Sequence, residues 1–422
     1  MGIECLNLLR LRNTRYEKIS PGHEYTFQWL WSCSEYLGWI SLRDSSFLFI
    51  EGKPGSGKST LVRYFTDNFS PGVDGAIVAK FFYSRRDEEL ERNHKSMLQC
   101  LLYDILKEDE SFFTYFQQAY RDLETSSVWA YATLKAVLKS CLNHPLKRSL
   151  FLIIDAMDEA DEDDRADIVD FLRELSKPAG KRCVIKVFLT SRPINEIYHV
   201  SISRDQWIRL QDNNREDIER YAQFILQKPV FNPYFDIREE IQDHIVKNAD
   251  GVFLWVRVVG DELEKCCRKG SPSKKMLMFL KSLPKELEGY YEYILQGLNG
   301  SDEDDRKDGT RILQFCLYSH RAIELLELCD ALAIPGEIFP TWPDLSSWEG
   351  DRPKDIRLRL TNCAGCFVET KSISGLHTSS KTLAPLQYPK LIIFSSPRRT
   401  SDCPSHASDS ARIFSSPSRF RG

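Results

Sequence analysis

Two rhythms of hydrophobic and polar residues divide this chain. From residue 47 to residue 210, short apolar runs alternate with stretches of helical period. Residues 47–50 (Phe-Leu-Phe-Ile) are apolar throughout, and 75–83, 149–154, 183–190 and 207–210 repeat the theme. Uninterrupted apolar runs are what strands buried on both faces need. Between them, 95–106 and 163–176 carry apolar residues three and four apart, as helices do. Strand and helix in alternation predict an α/β fold built on a doubly wound parallel sheet.

After residue 210 the strand pattern stops. Residues 214–226, 237–248, 251–267 and 285–298 read as amphipathic helices, 301–308 as a charged, solvated loop, and 309–334 as two more helices. Mixed character resumes as far as 369. Before residue 46, aromatics at helical spacing in 26–31 and 36–40 predict a helical lead-in that packs on the next domain. From 371 the chain is rich in Ser, Pro, Lys and Arg and has no Glu, and Ile-Phe-Ser-Ser-Pro occurs at 393–397 and again at 413–417. Such composition buries too little apolar surface to offset chain entropy, so this tail is expected to be disordered. The expected organisation is therefore 1–45, 46–210, 211–300, 301–369 and 370–422.

Bulk properties narrow the class. With 42% hydrophobic and 28% charged residues among 422, the composition is that of a soluble globular protein of several domains. A net charge of −4 argues against a nucleic-acid binder that relies on overall positive charge. No apolar run approaches the ~20 residues of a membrane span. The N-terminus has no basic segment followed by a long apolar one, and Leu6 stands where a myristoylation signal needs Ser or Thr. The 12 cysteines are scattered, and Cys100, Cys141, Cys183 and Cys316 have apolar neighbours. Cys363 and Cys366 form a lone C-x-x-C with no second pair, read as an element end rather than half a zinc site. These features predict a reducing, cytoplasmic compartment.

Chemistry enters directly after the first apolar run. Gly52, Lys53, Pro54, Gly55, Ser56, Gly57, Lys58 and Ser59 match the phosphate-cradling pattern G-x-x-x-x-G-K-[ST], and Thr60 continues into a helix. Gly52, Gly55 and Gly57 permit backbone angles that a β-carbon blocks, so that successive N–H groups converge on one anion. Lys58 is placed to neutralise the β- and γ-phosphates, and the Ser59 hydroxyl to ligate Mg²⁺. The run 151–154 then ends in Asp155, a carboxylate expected at the strand's C-terminal end, where open α/β sheets bind ligands and where it would hold Mg²⁺. Asp158 and Glu159 follow, placed to orient or deprotonate an attacking water. Thr190, Ser191, Arg192 and Pro193 close the next strand, with Arg192 a candidate contact to the γ-phosphate.

These three motifs, in this order, resemble the NACHT family of STAND P-loop NTPases, particularly the fungal NOD-like receptors. The family's acidic motif is matched by Asp155, Ala156, Met157, Asp158 and Glu159, and its sensor by Thr190 to Pro193. Softer matches are 26–31, 81–86, Leu210 with Asn214, Asp217, Ile218 and Tyr221, then 251–255 and 283–287. The resemblance implies a nucleotide switch: Mg²⁺ with ATP or ADP, slow hydrolysis, and nucleotide-dependent homo- or hetero-oligomers with related NACHT proteins. GTP stays open as the nucleotide. It further implies roles in self/non-self recognition or programmed cell death, and a winged-helix-like region at 301–369, here incomplete. No repeat of 30–50 residues follows, little chain precedes Arg15, and His377 does not fit the family's nucleotide-contacting histidine. The alternatives are a truncated regulatory scaffold that co-assembles with longer relatives, or a P-loop kinase or ATPase.

Overall fold

The structure, a computed structural model, describes residues 2–72, 75–85, 89–123, 129–178, 180–198, 206–285, 289, 303–319, 323–334, 350–364, 368–371 and 390–393. All of the predicted helix over 285–298 except residues 285 and 289, together with Arg86, Cys366, His377 and nearly all of the expected disordered tail, lies outside these residues. Residues 2–289 and Ser319 belong to one compact unit, and 303–318 together with the described residues from 323 onward to a second.

In the first unit, helices α1 (Gly2–Leu9), α2 (Arg15–Lys18) and α3 (Ser34–Ser41) precede the first strand, as the lead-in predicts. The sheet region then runs β1 (Ser46–Glu51), α4 (Lys58–Asn68), β2 (Ala76–Phe82), α5 (His94–Glu108), α6 (Phe113–Asp122), α7 (Tyr131–Ser140), β3 (Arg148–Asp155), α8 (Arg165–Leu175), β4 (Cys183–Ser191), α9 (Asn195–Tyr198) and β5 (Trp207–Arg209). The five strands pair in the order β2-β3-β4-β1-β5, and every pairing is parallel. The fold class is thus the α/β class that the apolar runs predict. Side chains alternate between faces with period two. Phe47 and Phe49 of β1 join one core with α5 and α7, while Leu48 and Ile50 join the other with Leu61, Phe65 and the lead-in residues Leu30 and Trp39. From β1 the chain crosses toward β2, and from its neighbour β4 toward β5. The order reverses between these two strands, and their C-terminal ends open the crevice where such sheets bind ligands.

The helical layer that follows contains α10 (Leu210–Asn213), α11 (Arg215–Leu226), α12 (Arg238–Asn248), α13 (Phe253–Arg268) and α14 (Ser273–Ser282). α11 packs on α12 and α13. The predicted helices at 214–226, 237–248 and 251–267 are all present within two residues. α14 was not foreseen.

The second unit holds α15 (Glu303–Tyr318), α16 (Leu325–Ala333), α17 (Ile356–Cys363), β6 (Val368–Lys371) and β7 (Lys390–Ile393). Where the structure describes it, at 303–308, the charged run read as a loop is in fact the start of α15. Three acidic residues at a helix N-terminus favour the helix dipole. Arg359 of α17 pairs with Asp305 and, at 2.7 Å, with Asp308. Gly309 permits the close crossing, since a β-carbon there would lie 2.2 Å from the Cys363 carbonyl oxygen. Cys363 is buried at the end of its helix. Residues 390–393, inside the segment expected to lack structure, pair antiparallel with 368–371.

Candidate nucleotide site

The loop between β1 and α4 begins with Gly52, whose N–H donates to the Ser191 carbonyl at 3.2 Å and ties the loop to the end of β4. A β-carbon on Gly52 would lie 2.6 Å from Ser56 Oγ and 3.0 Å from Lys58 Cγ. Gly55 and Gly57 adopt φ of +71° and +92°, the left-handed region that side chains disfavour. α4 then starts at Lys58, so the first amides of Lys58, Ser59 and Thr60 have no acceptor within the helix. Ser56 is buried and its Oγ has no partner. Lys58 folds back so that Nζ donates to the carbonyls of Gly52 at 2.6 Å and Lys53 at 3.0 Å. Desolvation pushes its pKa down to about 8, opposed chiefly by the Asp158 carboxylate. Pro54 is exposed, and Lys53 is ion-paired with Asp250.

Asp155 ends β3 and is fully buried. Its Oδ1 accepts from Thr190 Oγ1 at 2.5 Å, and the same Thr190 oxygen accepts from the Ala156 N–H at 3.2 Å. Burial raises the Asp155 carboxyl pKa, while the Thr190 and Ser59 hydroxyls work against that rise. Oδ2 is buried without a hydrogen bond of ordinary geometry. Ala156 has φ of +61°, a strained turn for a residue with a β-carbon, which swings the short 3₁₀ turn Met157–Glu159 across the strand end.

The next two carboxylates do different things. Asp158 accepts from the Arg192 N–H at 3.0 Å and from Ser191 Oγ at 3.4 Å, and pairs with Arg192 Nε at 3.1 Å. Arg192 is therefore engaged by Asp158. Glu159 is half-buried and accepts from the Arg85 N–H at 3.2 Å. Of the acidic residues beyond it, Asp161 pairs with Arg92, and Glu162 with Arg85 and Arg165.

Sequence reasoning did not find the third side of the site. The turn before α13 sits directly on the glycine loop. Leu254 N–H donates to the Gly55 carbonyl at 3.1 Å, and a β-carbon on Gly55 would lie 2.7 Å from Leu254 Cβ. Phe253 lies 3.3 Å from a β-carbon placed on Gly57, and its ring centroid is 6.0 Å from that of Phe27. The turn is held by Asn214, whose Nδ2 donates to the Gly251 carbonyl at 2.8 Å. One turn on, buried Asp217 accepts from the Phe27 N–H at 2.9 Å and Trp29 Nε1 at 3.0 Å. The motifs at 26–31, Asn214/Asp217 and 251–255 are thus one contact network around the loop. The only local signal was Gly251, whose φ of +76° marks a tight turn.

Residues 25–192 match the family described as Nephrocystin 3, N-terminal. Over 400 residues the chain is 24% identical to the vegetative incompatibility protein HET-E-1 of Podospora anserina. The chain is thus similar to that family over these residues and to that fungal protein over most of its own length. The alignment covers 89% of this chain but only 28% of that relative's length. Among solved structures, Cdc6p of Pyrobaculum aerophilum is 13% identical with a TM-score of 0.36, covering 92% of this chain and 95% of its own. A RuvB mutant of Thermotoga maritima is 11% identical with a TM-score of 0.29, covering 81% and 87%. The fold of this chain is read from its strand order, not from these distant likenesses. Among the described residues, no helix is long and apolar enough to cross a membrane.

Proposed function

We propose that this chain is a NACHT-type P-loop NTPase of the fungal NOD-like receptor kind, which binds ATP or ADP with Mg²⁺ in the crevice above β1 and β4, turns ATP over slowly, and acts as a switch. The observation that carries the reading is the hydrogen bond from Leu254 to Gly55, which joins the phosphate loop to the helical layer. A loop that must reshape around phosphates cannot do so without disturbing that contact. Occupancy of the loop thereby becomes a property of the helical layer.

Each group has a role in this reading. The loop amides and Lys58 hold phosphate oxygens, and Lys58 exchanges two carbonyl acceptors for them. The donor set fits Mg²⁺: the orphaned, buried Oδ2 of Asp155 and the Ser59 hydroxyl are hard oxygen donors, with phosphates and water completing the shell. When bound, the ion neutralises charge on the β- and γ-phosphates. Glu159, the less restrained carboxylate, orients or deprotonates the attacking water. Asp158 is a positioning residue that holds the end of β4 and Arg192. ATP over GTP rests on the family resemblance.

By its likeness to HET-E-1, the chain would serve in fungal self/non-self recognition or programmed cell death, as the nucleotide-dependent part of a homo- or hetero-oligomer. The test is the nucleotide that stays with purified protein after denaturation, in wild type and Lys58→Ala. Retained ADP that disappears in the variant supports the switch. An empty site with rapid turnover of added ATP or GTP would refute it. Glu159→Gln should keep nucleotide while slowing hydrolysis.

A further inference from the structure

We propose that Arg15, carried by the segment before the sheet, is a phosphate-binding residue of this site, facing the terminal phosphate of a nucleoside triphosphate but not a diphosphate. This rests on the reading of the glycine loop as a nucleotide site. It adds a residue from outside the stretch 25–192 that matches a known family.

Placement comes from the residues on either side. Asn13 Nδ2 donates to the Phe82 carbonyl at 2.8 Å. Phe82 is the register partner of Asp155, and the next N–H, that of Tyr83, donates to the Asp155 carbonyl at 3.1 Å. Thr14 is fixed by its N–H and hydroxyl to Glu91 Oε1 at 2.7 and 3.0 Å. Beyond Arg15, the Tyr16 ring lies 5.2 Å from that of Phe82, its hydroxyl donates to Asp67 of α4, and Arg63 of α4 donates to the Ile19 carbonyl. The segment therefore bridges the end of β2 and the helix that follows the phosphate loop, with Arg15 between its two anchors. The sheet end beneath carries Asp155. In phosphate-loop proteins the terminal phosphate lies toward the metal-holding carboxylate, beyond the phosphates the loop encloses.

Arg15 has no structural employment there. It is half-buried, its Nε is buried without a hydrogen-bond partner, and no described residue forms an ion pair with it. Buried guanidinium nitrogen without a partner is costly, and phosphate supplies the matching acceptors. The charge of Arg15 also acts on Asp155, favouring its ionised form. Arg192, the arginine that the sequence offers for the γ-phosphate, is held by Asp158, which leaves that role open.

The test is equilibrium binding of Mg·ATPγS and Mg·ADP to the full chain, for wild type, Arg15→Gln, Arg15→Lys and Lys58→Ala, with the melting temperature of each nucleotide-free protein. Arg15→Gln should weaken ATPγS about tenfold or more and ADP less than about twofold, the scale of one charge-assisted contact. Arg15→Lys should lie between, since lysine keeps the charge but not the two-pronged geometry. If Arg15→Gln does not fold, Arg15→Lys carries the same comparison. Equal changes for both nucleotides, or none for either, would overturn the proposal. So would a fall in nucleotide-free melting temperature with an unaltered ratio. Lys58→Ala separates the two ideas: if it binds both nucleotides like wild type, the nucleotide site itself is misassigned.

Discussion

Lys58, at the start of α4, and Lys186, inside β4, both have a pKa pushed down to about 8 by desolvation, and they are opposites in every other respect. Lys186 sits inside β4, and its Nζ reaches the carbonyls of Trp39 and Leu42 at 2.8 Å and Ser46 Oγ at 3.0 Å. It caps the C-terminal end of α3 and fastens the lead-in to the sheet. Its acceptors are permanent. Lys58 stands over the other end of the sheet, resting on two carbonyls of a loop whose other groups, Ser56 Oγ and nearby Asp155 Oδ2, lack partners. A buried cation with a full set of acceptors is part of the scaffold; a cation among unsatisfied groups is poised for a ligand.

The sharpest way to break this contrast is Lys186→Ala. It leaves two buried helix-end carbonyls unpaired and opens a cavity, so unfolding in denaturant should show a loss of about 3 kcal/mol, with nucleotide bound per folded molecule unchanged. A loss of nucleotide without a loss of stability would reverse the assignment of roles. Next in size is Lys58→Ala: nucleotide affinity by equilibrium dialysis should fall about a hundredfold, while the nucleotide-free chain changes by less than about 1 kcal/mol. Smaller again is Gly55→Ala, which must hold a β-carbon at φ of +71° and 2.7 Å from Leu254 Cβ. It should cost about 1–2 kcal/mol and loosen the helical layer on the loop, read as faster amide exchange at Leu254.

The smallest expected effect is a pH slope. Lys186 has a folded pKa of about 8, below the ~10.4 of an unfolded lysine, and Asp44 only partly opposes the shift. Between those values the unfolded chain binds more protons, so stability rises with pH across that window. Measured against Lys186→Met from pH 8 to 9, wild type should gain on the order of 1 kcal/mol. A flat difference would mean that its oxygen acceptors keep Lys186 charged throughout.

Much of this could be read from the chain alone. The apolar runs at 47–50, 149–154 and 183–190 foretold parallel strands because strands covered on both faces exclude polar residues. The lysine in 183–190 is the exception, and nothing local explains it. The charged run at 301–308 misled for the converse reason: its charges find partners in Lys307 four residues on and in Arg359 of another helix, so a solvated appearance hid a helix. The motifs at 26–31, 214–217 and 251–255 were visible as separate patterns, but no spacing rule joins them.

By itself the sequence determined what contiguous residues can encode: the alternation of strands and helices, the glycines that open a phosphate loop, and a carboxylate at the end of an apolar strand. Backbone sterics and side-chain period act within a few residues, so these features survive in a linear reading. Only the tertiary structure decided which distant groups meet. Thr190 orients Asp155 from 35 residues away, and Asp250 reaches Lys53 across 197. It also gave Arg192 to Asp158, left Arg15 without a partner, and made one lysine scaffold and the other site. Those outcomes depend on which buried polar groups find partners once the layers pack, and that is settled by the fold as a whole.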